Sequence, residues 1–296
     1  MNIRIIPRLD IKGPNLVKGV NFEGLRVLGA PRAFARHYSD QGADELFYQD
    51  AVASLYGRNS LLDMVRATAD EIFIPLTVGG GLRSVEDIRT VLRAGADKVA
   101  LNTAVMARPE LISEAARSFG SSTVVVAVEA QPRPGGGWDC FTDYGREATD
   151  KDAVAWARQA VELGAGELVV TSIAREGTGQ GFDLDLTREI ATQVPVPVIA
   201  AGGAGNPEHI RQVVEQGKAD AVCLASMLHY DCYVDLAQDM DDALGEGNRD
   251  FLAGKRLSPP SRITPLGLPG IKAFLAEAAI PCRPAAPIPL LKETRL

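Results

Sequence analysis

Gly42-Ala43-Asp44-Glu45-Leu46 returns as Gly164-Ala165-Gly166-Glu167-Leu168, 122 residues further along the chain. An offset of 122 or 123 residues also carries Ile74-Pro75, which leads into Gly79-Gly80-Gly81, to Val196-Pro197 leading into Gly202-Gly203. It carries Ala96-Asp97-Lys98-Val99 to Ala219-Asp220-Ala221-Val222 as well. Three matches in one order at one offset mark an internal duplication, where chance would explain a single match. The matched pieces belong to short apolar runs: IRIIPRLD from Ile3, ELFYQD from Glu45, IPLTVGGG from Ile74, KVALN from Lys98, TVVVAVEA from Thr123, ELVVTS from Glu167, VPVIAAGG from Val196 and AVCLAS from Ala221. Each is followed by room for a helix. Strict β and α alternation calls for parallel strands joined by right-handed crossovers, and eight such units close into a barrel. The expected fold is therefore α/β, a (β/α)8 TIM barrel of two similar halves facing each other across the axis. An open doubly wound sheet is the alternative.

Residues 1–256 are assigned to the barrel and 257–296 to a Pro-rich extension, whose short helix near IKAFLAEAAI packs on or near it. A helix over VDLAQDMDDALGEG, from Val234, is expected to close the eighth unit. The run from Ser258-Pro259-Pro260 to Pro269-Gly270 is expected to cross the surface, and the end of the chain to fray. The segment from Trp138 to Asp150 follows Pro132, Pro134 and Gly135 to Gly137, a composition that favours a turn or small hairpin over a helix.

Bulk properties exclude several classes. With 46% hydrophobic and 23% charged residues, the 296-residue chain has a globular composition. A net charge of -7 and a pI near 5.1 leave no basic field for nucleic acid. No stretch reads as a signal peptide or a membrane span. Cys140, Cys223, Cys232 and Cys282 form no CxxC pair, which suits a reducing cytoplasm. His37, His209 and His229 lack metal-ligand spacing, and neither a serine-hydrolase elbow nor a dinucleotide fingerprint is present, so neither metal nor cofactor is expected.

In a barrel of this kind, side chains at the C-terminal ends of strands point into the active-site mouth. Asp10 ends the first strand and Glu129 the fifth, so two carboxylates face each other across the mouth, a pair suited to general acid and base work. As solvated strand ends they would carry no such role. Gly79-Gly80-Gly81 and Gly202-Gly203-Ala204-Gly205 follow strands three and seven, where missing Cβ atoms let backbone N–H groups approach an anion. The strand after each loop ends in small polar groups, Asn102-Thr103 and Ala225-Ser226. Two such sites imply a substrate phosphorylated at both ends. Lys12 and Lys18 lie in the loop after strand one and could fold over an anion. Thr171 and Ser172, with Arg175 to Thr178, offer hydrogen bonds to a polyhydroxyl ligand. Arg4, Glu45, Lys98 and Glu167 start strands one, two, four and six. Buried charges must pair, so these four are read as a ring plugging the barrel floor.

RIIPRLDIKGPNLVKGVNFEGLR, DELFYQDAVAS, PLTVGGGLRSVEDI, GADKVALNTA, GAGELVVTSIAREGT and VIAAGGAGNPEHI together resemble the cyclase subunit of imidazole glycerol phosphate synthase, over about Arg4 to His229. The resemblance implies an enzyme of histidine biosynthesis. Such an enzyme joins ammonia from a separate glutaminase subunit, its heterodimer partner, to a two-phosphate ribulosyl substrate, releasing imidazole glycerol phosphate and an aminoimidazole carboxamide ribotide. It also implies roles: Asp10 and Glu129 catalytic; Lys18, Gly81, Asn102, Thr103, Gly177, Gly203, Ala225 and Ser226 gripping phosphate, with Gly202 and Thr171 beside them. Arg4, Glu45, Lys98 and Glu167 then become an ammonia gate, and Asp97 a docking residue for the glutaminase. The chain departs from the family pattern at the mouth. Glu129 stands in place of Asp, Ala174 and Glu176 replace two acids, and Tyr144 replaces a small serine. Two other readings share the barrel: a paralogue that conducts ammonia to a sugar amidotransferase of surface-polysaccharide synthesis, and an isomerase, which would need no four-charge ring.

Overall fold

The computed structural model describes residues 2–53, 61–236 and 262–285. The first half of the chain forms β1 (Arg4–Lys12), β2 (Asn15–Val20), β3 (Glu23–Gly29), α1 (Pro31–Asp40), β4 (Leu46–Asp50), α2 (Leu62–Ala69), β5 (Leu76–Gly79), α3 (Val85–Arg93), β6 (Lys98–Leu101), α4 (Thr103–Ala107) and α5 (Glu110–Phe119). The second half forms β7 (Val124–Pro132), β8 (Trp138–Thr142), β9 (Glu147–Asp152), α6 (Ala153–Glu162), β10 (Glu167–Ser172), α7 (Leu184–Ala191), β11 (Val198–Ala201), α8 (Pro207–Glu215), β12 (Ala221–Leu224) and α9 (Ser226–Leu236), with α10 (Leu268–Glu277) after it. Eight strands pair in parallel in the order β1, β4, β5, β6, β7, β10, β11, β12 and back to β1. The ring is closed, so the fold is the barrel that the repeat implies.

The duplication extends to local signals. Ser84 and Asn206, 122 residues apart, cap α3 and α8, each accepting the backbone N–H three residues on. Strand alternation then builds two cores. On β1, Ile5, Leu9 and Ile11 face the helices and join the large outer core. Ile6 faces inward with Phe47, Ala100, Val125, Val169, Ile199, Ala201, Ala221 and Cys223, an apolar layer filling the barrel.

Two antiparallel hairpins extend the ring at equivalent places, β2–β3 on β1 and β8–β9 on β7. The second answers the turn expected after Pro132. The first replaces the plain loop expected around Lys18. The strands are also longer than read: β1 continues past Asp10 and β7 past Glu129, because each becomes an arm of its hairpin, with Asp10 opposite Val17 and Glu129 opposite Phe141. The turn of the first hairpin was hidden because Asn21 and Phe22 occupy left-handed backbone at φ 50° and 64°. That geometry matches strand twist but ordinarily announces itself by glycine. Asp143 and Tyr144 repeat it at φ 52° and 60°. A bulky residue there is strained. The two aromatic tips meet, ring centroids 4.2 Å apart, in a small apolar cluster with Ala51 and Ile173 that offsets the strain.

At the other end of the chain, α9 begins at Ser226, and the helix expected over residues 234–247 lies mostly outside the described residues. Pro269 and Gly270 sit in the first turn of α10 rather than in a crossing, since proline needs no N–H partner at that position. Buried Lys272 of α10 donates to the Gly42 carbonyl at 2.7 Å and to Asp44 at 3.0 Å, and Ile3 bridges to Cys282. With its contact to α8, the helix fills the space between α8 and the end of α1. Of the tail expected to fray, residues 286–296 lie outside the described residues, while Arg283 bonds Asp44 at 3.0 Å.

Candidate active site

Asp10 and Glu129 stand at the rim where the parallel ring gives way to the hairpins, and both are buried. Asp10 accepts from Arg8 Nε at 2.9 Å through Oδ1, and its carboxylate also lies within reach of the Tyr144 hydroxyl. Glu129 accepts the Gly145 N–H at 2.9 Å, a bond supplied by the tip of the β8–β9 hairpin. Burial pushes the Glu129 carboxyl up to about 7; Arg8 and the Gly145 N–H pull it back, and Asp10 and Asp143 push it further. Near neutrality one carboxyl of the mouth is thus half protonated. Tyr144 is buried over the same space with its hydroxyl beside Asp10, and burial, then the neighbouring Asp10, raises it well above the ordinary phenol value.

Lys18 reaches inward from β2 and forms a buried ion pair with Glu176, which follows β10. Asn21 at the hairpin tip adds backbone and side-chain bonds of 2.8 and 2.7 Å to Glu176 and Ile173. The β2–β3 hairpin is thereby clasped over the second half of the mouth. Gly177 makes the clasp possible: at φ +71° its Cβ would lie 2.4 Å from the Gly19 carbonyl. Lys12, by contrast, is exposed at the end of β1 and takes no part.

The two glycine loops open onto unequal spaces. The first lines a cavity of about 520 Å³ with Asp50, Arg83, Asn102, Thr103, Glu129 and Tyr144. Asn102 donates to the Phe141 carbonyl at 3.2 Å, leaving its Oδ1 buried and unpartnered, and Thr103 accepts the Asp143 N–H at 3.1 Å. Both residues read as phosphate ligands therefore also hold the second hairpin. The other loop closes a pocket of only about 20 Å³ among Arg8, Glu176, Gly177, Gly202, Gly203, Ala225 and Ser226. Gly203 sits at φ +110°, where a Cβ would come 2.1 Å from the Gly181 carbonyl. Ser226 opens α9, so the second pocket faces a helix N-terminus, a natural anion site. Thr171 lies outside both pockets and accepts from Arg8 Nη1 at 3.3 Å.

At the opposite end of the barrel the four charges form one ring. Arg4 pairs with Glu45 and, at 2.8 Å, with Glu167; Lys98 reaches Glu45 at 3.2 Å and Glu167 at 2.7 Å. Asp97, next to this ring, uses its carboxylate to accept the Leu76 N–H at 2.9 Å, as its repeat partner Asp220 does for Val198. Beside it, the side chain of Phe73 is 96% exposed. Among the described residues no group of His, Cys, Asp and Glu could hold a metal ion, and no helix is long and apolar enough to cross a membrane.

Sequence reasoning passed over Arg8, Asp50, Arg83 and Asp143, all of which line the mouth. For Arg8 a signal existed: in the β1 alternation Arg4, Ile6, Arg8 and Asp10 share the inward face. The other three sit in loops or at a rim, where no period applies.

A family profile described as "Histidine biosynthesis protein" matches residues 4–233. The chain is 56% identical over 207 residues to the imidazole glycerol phosphate synthase subunit HisF of Legionella pneumophila, covering 70% of this chain and 98% of that one. It is 51% identical over 249 residues to the subunit of the same name from Synechococcus sp. (strain CC9311), covering 83% of this chain and 94% of that one.

Proposed function

Because this chain belongs to the histidine biosynthesis protein family, we propose that it is the cyclase subunit of imidazole glycerol phosphate synthase, a lyase, and that the mouth carries its chemistry. The substrate is the two-phosphate ribulosyl aminoimidazole carboxamide, and the second substrate is ammonia. Joining ammonia to a carbonyl carbon requires a proton to leave nitrogen and another to reach the departing oxygen, so the site needs one base and one acid together. The observation that carries this reading is the buried pair itself: Asp10, held by Arg8 beside the Tyr144 hydroxyl, and Glu129, which burial pushes up to about 7. Asp10 takes the base role and Glu129 the acid role. The Glu129 side chain, one methylene longer than the family's Asp, is held by the Gly145 N–H, and the longer Glu176 reaches Lys18.

One phosphate is assigned to Gly81, Asn102 and Thr103, and the other to Gly177, Gly202, Gly203, Ala225 and Ser226, with Lys18 covering it and Thr171 between. Seating a phosphate in the second pocket requires the Lys18–Glu176 clasp to open. Ammonia enters through the ring of Arg4, Glu45, Lys98 and Glu167, from a glutaminase docked on the barrel floor, where exposed Phe73 lies beside Asp97. No separate observation favours the paralogue that conducts ammonia to a sugar amidotransferase.

The test is turnover of the two-phosphate substrate by the purified chain with excess ammonium salt at alkaline pH. Asp10→Asn and Glu129→Gln are each expected to lower it by about 10²-fold or more. Unchanged turnover in either variant rejects the assigned pair. Tight substrate binding by the wild type without turnover points to the ammonia-conducting reading instead.

A further inference from the structure

Arg8 is left without a task by the reaction just described. Its side chain is buried between Phe47 of the inner apolar layer and Phe22 at the tip of the first hairpin. The guanidinium carbon lies 5.8 Å from the Phe47 ring centre on one side and 5.6 Å from that of Phe22 on the other. Nε bonds Asp10, Nη1 bonds Thr171, and Nη2 is buried without a partner. The backbone is pinned too. Its carbonyl accepts from His229 Nε2 at 3.0 Å, while Nδ1 of that ring accepts from the Tyr38 hydroxyl at 2.7 Å. Burial holds His229 neutral, down to about 3, so this support does not titrate near neutrality.

Such a cation is costly for stability alone: a buried ion pair with an unmade N–H bond is a poor exchange for an apolar side chain of similar volume. Its neighbours show what it does. The groups facing one another in the mouth are Arg8 and Asp10 of β1, Lys18 of β2, Asp50 of β4, Arg83 after β5, Arg108 after α4, Glu129 of β7, Asp143 and Tyr144 of the second hairpin tip, and Glu176 after β10. Arg8 pairs with Asp10 and Lys18 with Glu176, while Glu129 has no ion pair among the described residues. We propose that Arg8 is a positioning residue that divides the two carboxyls into a base and an acid. It grips one oxygen of Asp10 through Nε, and through Nη1 it bonds Thr171, the residue opposite Glu129 on the neighbouring strand, so that one guanidinium is set between the two carboxyls.

This inference rests on the cyclase reading, and its experiment separates the two. Side-chain carboxyl resonances of the full-length chain are titrated by ¹³C NMR in wild type, Arg8→Met and Arg8→Lys, with Glu129→Gln assigning the Glu129 signal. Arg8 is the largest pull that keeps Glu129 from rising further. In Arg8→Met the Glu129 titration is therefore expected to move up by about one unit. Ammonium-dependent kcat is expected to fall about 10²-fold, with KM little changed. Arg8→Lys is expected to restore the titration and part of kcat. A Glu129 titration unmoved in Arg8→Met, or Arg8→Lys as damaging as Arg8→Met, overturns the proposal. If Arg8→Met does not fold, Arg8→Gln takes its place with the same expectations. A shifted titration alongside a wild type that turns over no substrate upholds Arg8 and rejects the cyclase reading.

Discussion

The two ends of this barrel are built from the same material and differ in their charge balance. At the N-terminal end, Arg4 and Lys98 each bridge Glu45 and Glu167, two cations against two carboxylates, with Arg4 Nη2 the one buried atom left over. At the C-terminal end, Arg8 pairs with Asp10 and Lys18 with Glu176, Glu129 has no ion pair among the described residues, and Asp50, Asp143, Arg83 and Arg108 line the same mouth. The floor neutralises itself and has no need of a proton. At the mouth burial holds a proton on Glu129 up to about 7, and Arg8 Nη2 and Asn102 Oδ1 are buried there without partners. Unsatisfied polar atoms are costly, so their concentration at one end identifies the end where substrate completes the structure.

The sharpest way to break this comparison is to remove the unpaired carboxyl. A carboxyl whose folded value is raised binds its proton more tightly folded than unfolded. Glu129 therefore costs no stability below about 4.5 and its full penalty above about 7. Glu129→Gln is expected to match wild type at pH 4 and to exceed it by about 3 kcal/mol at pH 8 in denaturant unfolding. A difference independent of pH would mean that the mouth holds no such titrating carboxyl.

Opening the floor should act in the opposite sense. Lys98→Met leaves two carboxylates facing one cation. It is expected to destabilise by about 2 kcal/mol, less than a fully dry pair because the ring is partly exposed. Ammonium-dependent turnover should stay within about threefold of wild type, since no proton of the reaction passes there; a glutamine-driven assay should lose more. Equal losses in both assays would put the floor in the same functional unit as the mouth.

The smallest effect separates architecture from docking. Asp97→Ala and Asp220→Ala each delete one acceptor for a strand N–H and should cost a similar amount, about 1 kcal/mol. Only Asp97→Ala should lower glutamine-driven turnover while sparing the ammonium-driven reaction. Loss of both activities together would leave Asp97 as a strand cap like its repeat partner.

Much of this was legible before any coordinates. The eight strands, the glycine loops and the membership of the floor ring follow from local pattern and from the repeat. What was missed involves pairs remote in sequence: Lys18 with Glu176, Phe22 with Tyr144, Asn102 with the Phe141 carbonyl. Phe22 gave no turn signal because its left-handed backbone is stabilised by a ring from the other half of the chain. Arg8 was visible on the inward face, but nothing in the pattern said which acid it would meet.

The amino-acid sequence by itself determined the barrel, its two-fold repeat and the position of each carboxylate along its strand, because alternation and turn chemistry act between near neighbours. Only the tertiary structure decided that burial would push Glu129 up to about 7, that Asp10 would meet Arg8 and Tyr144, and that one glycine loop would open onto a cavity while the other lay closed. Desolvation and charge coupling depend on everything within a few ångströms, whatever its distance along the chain.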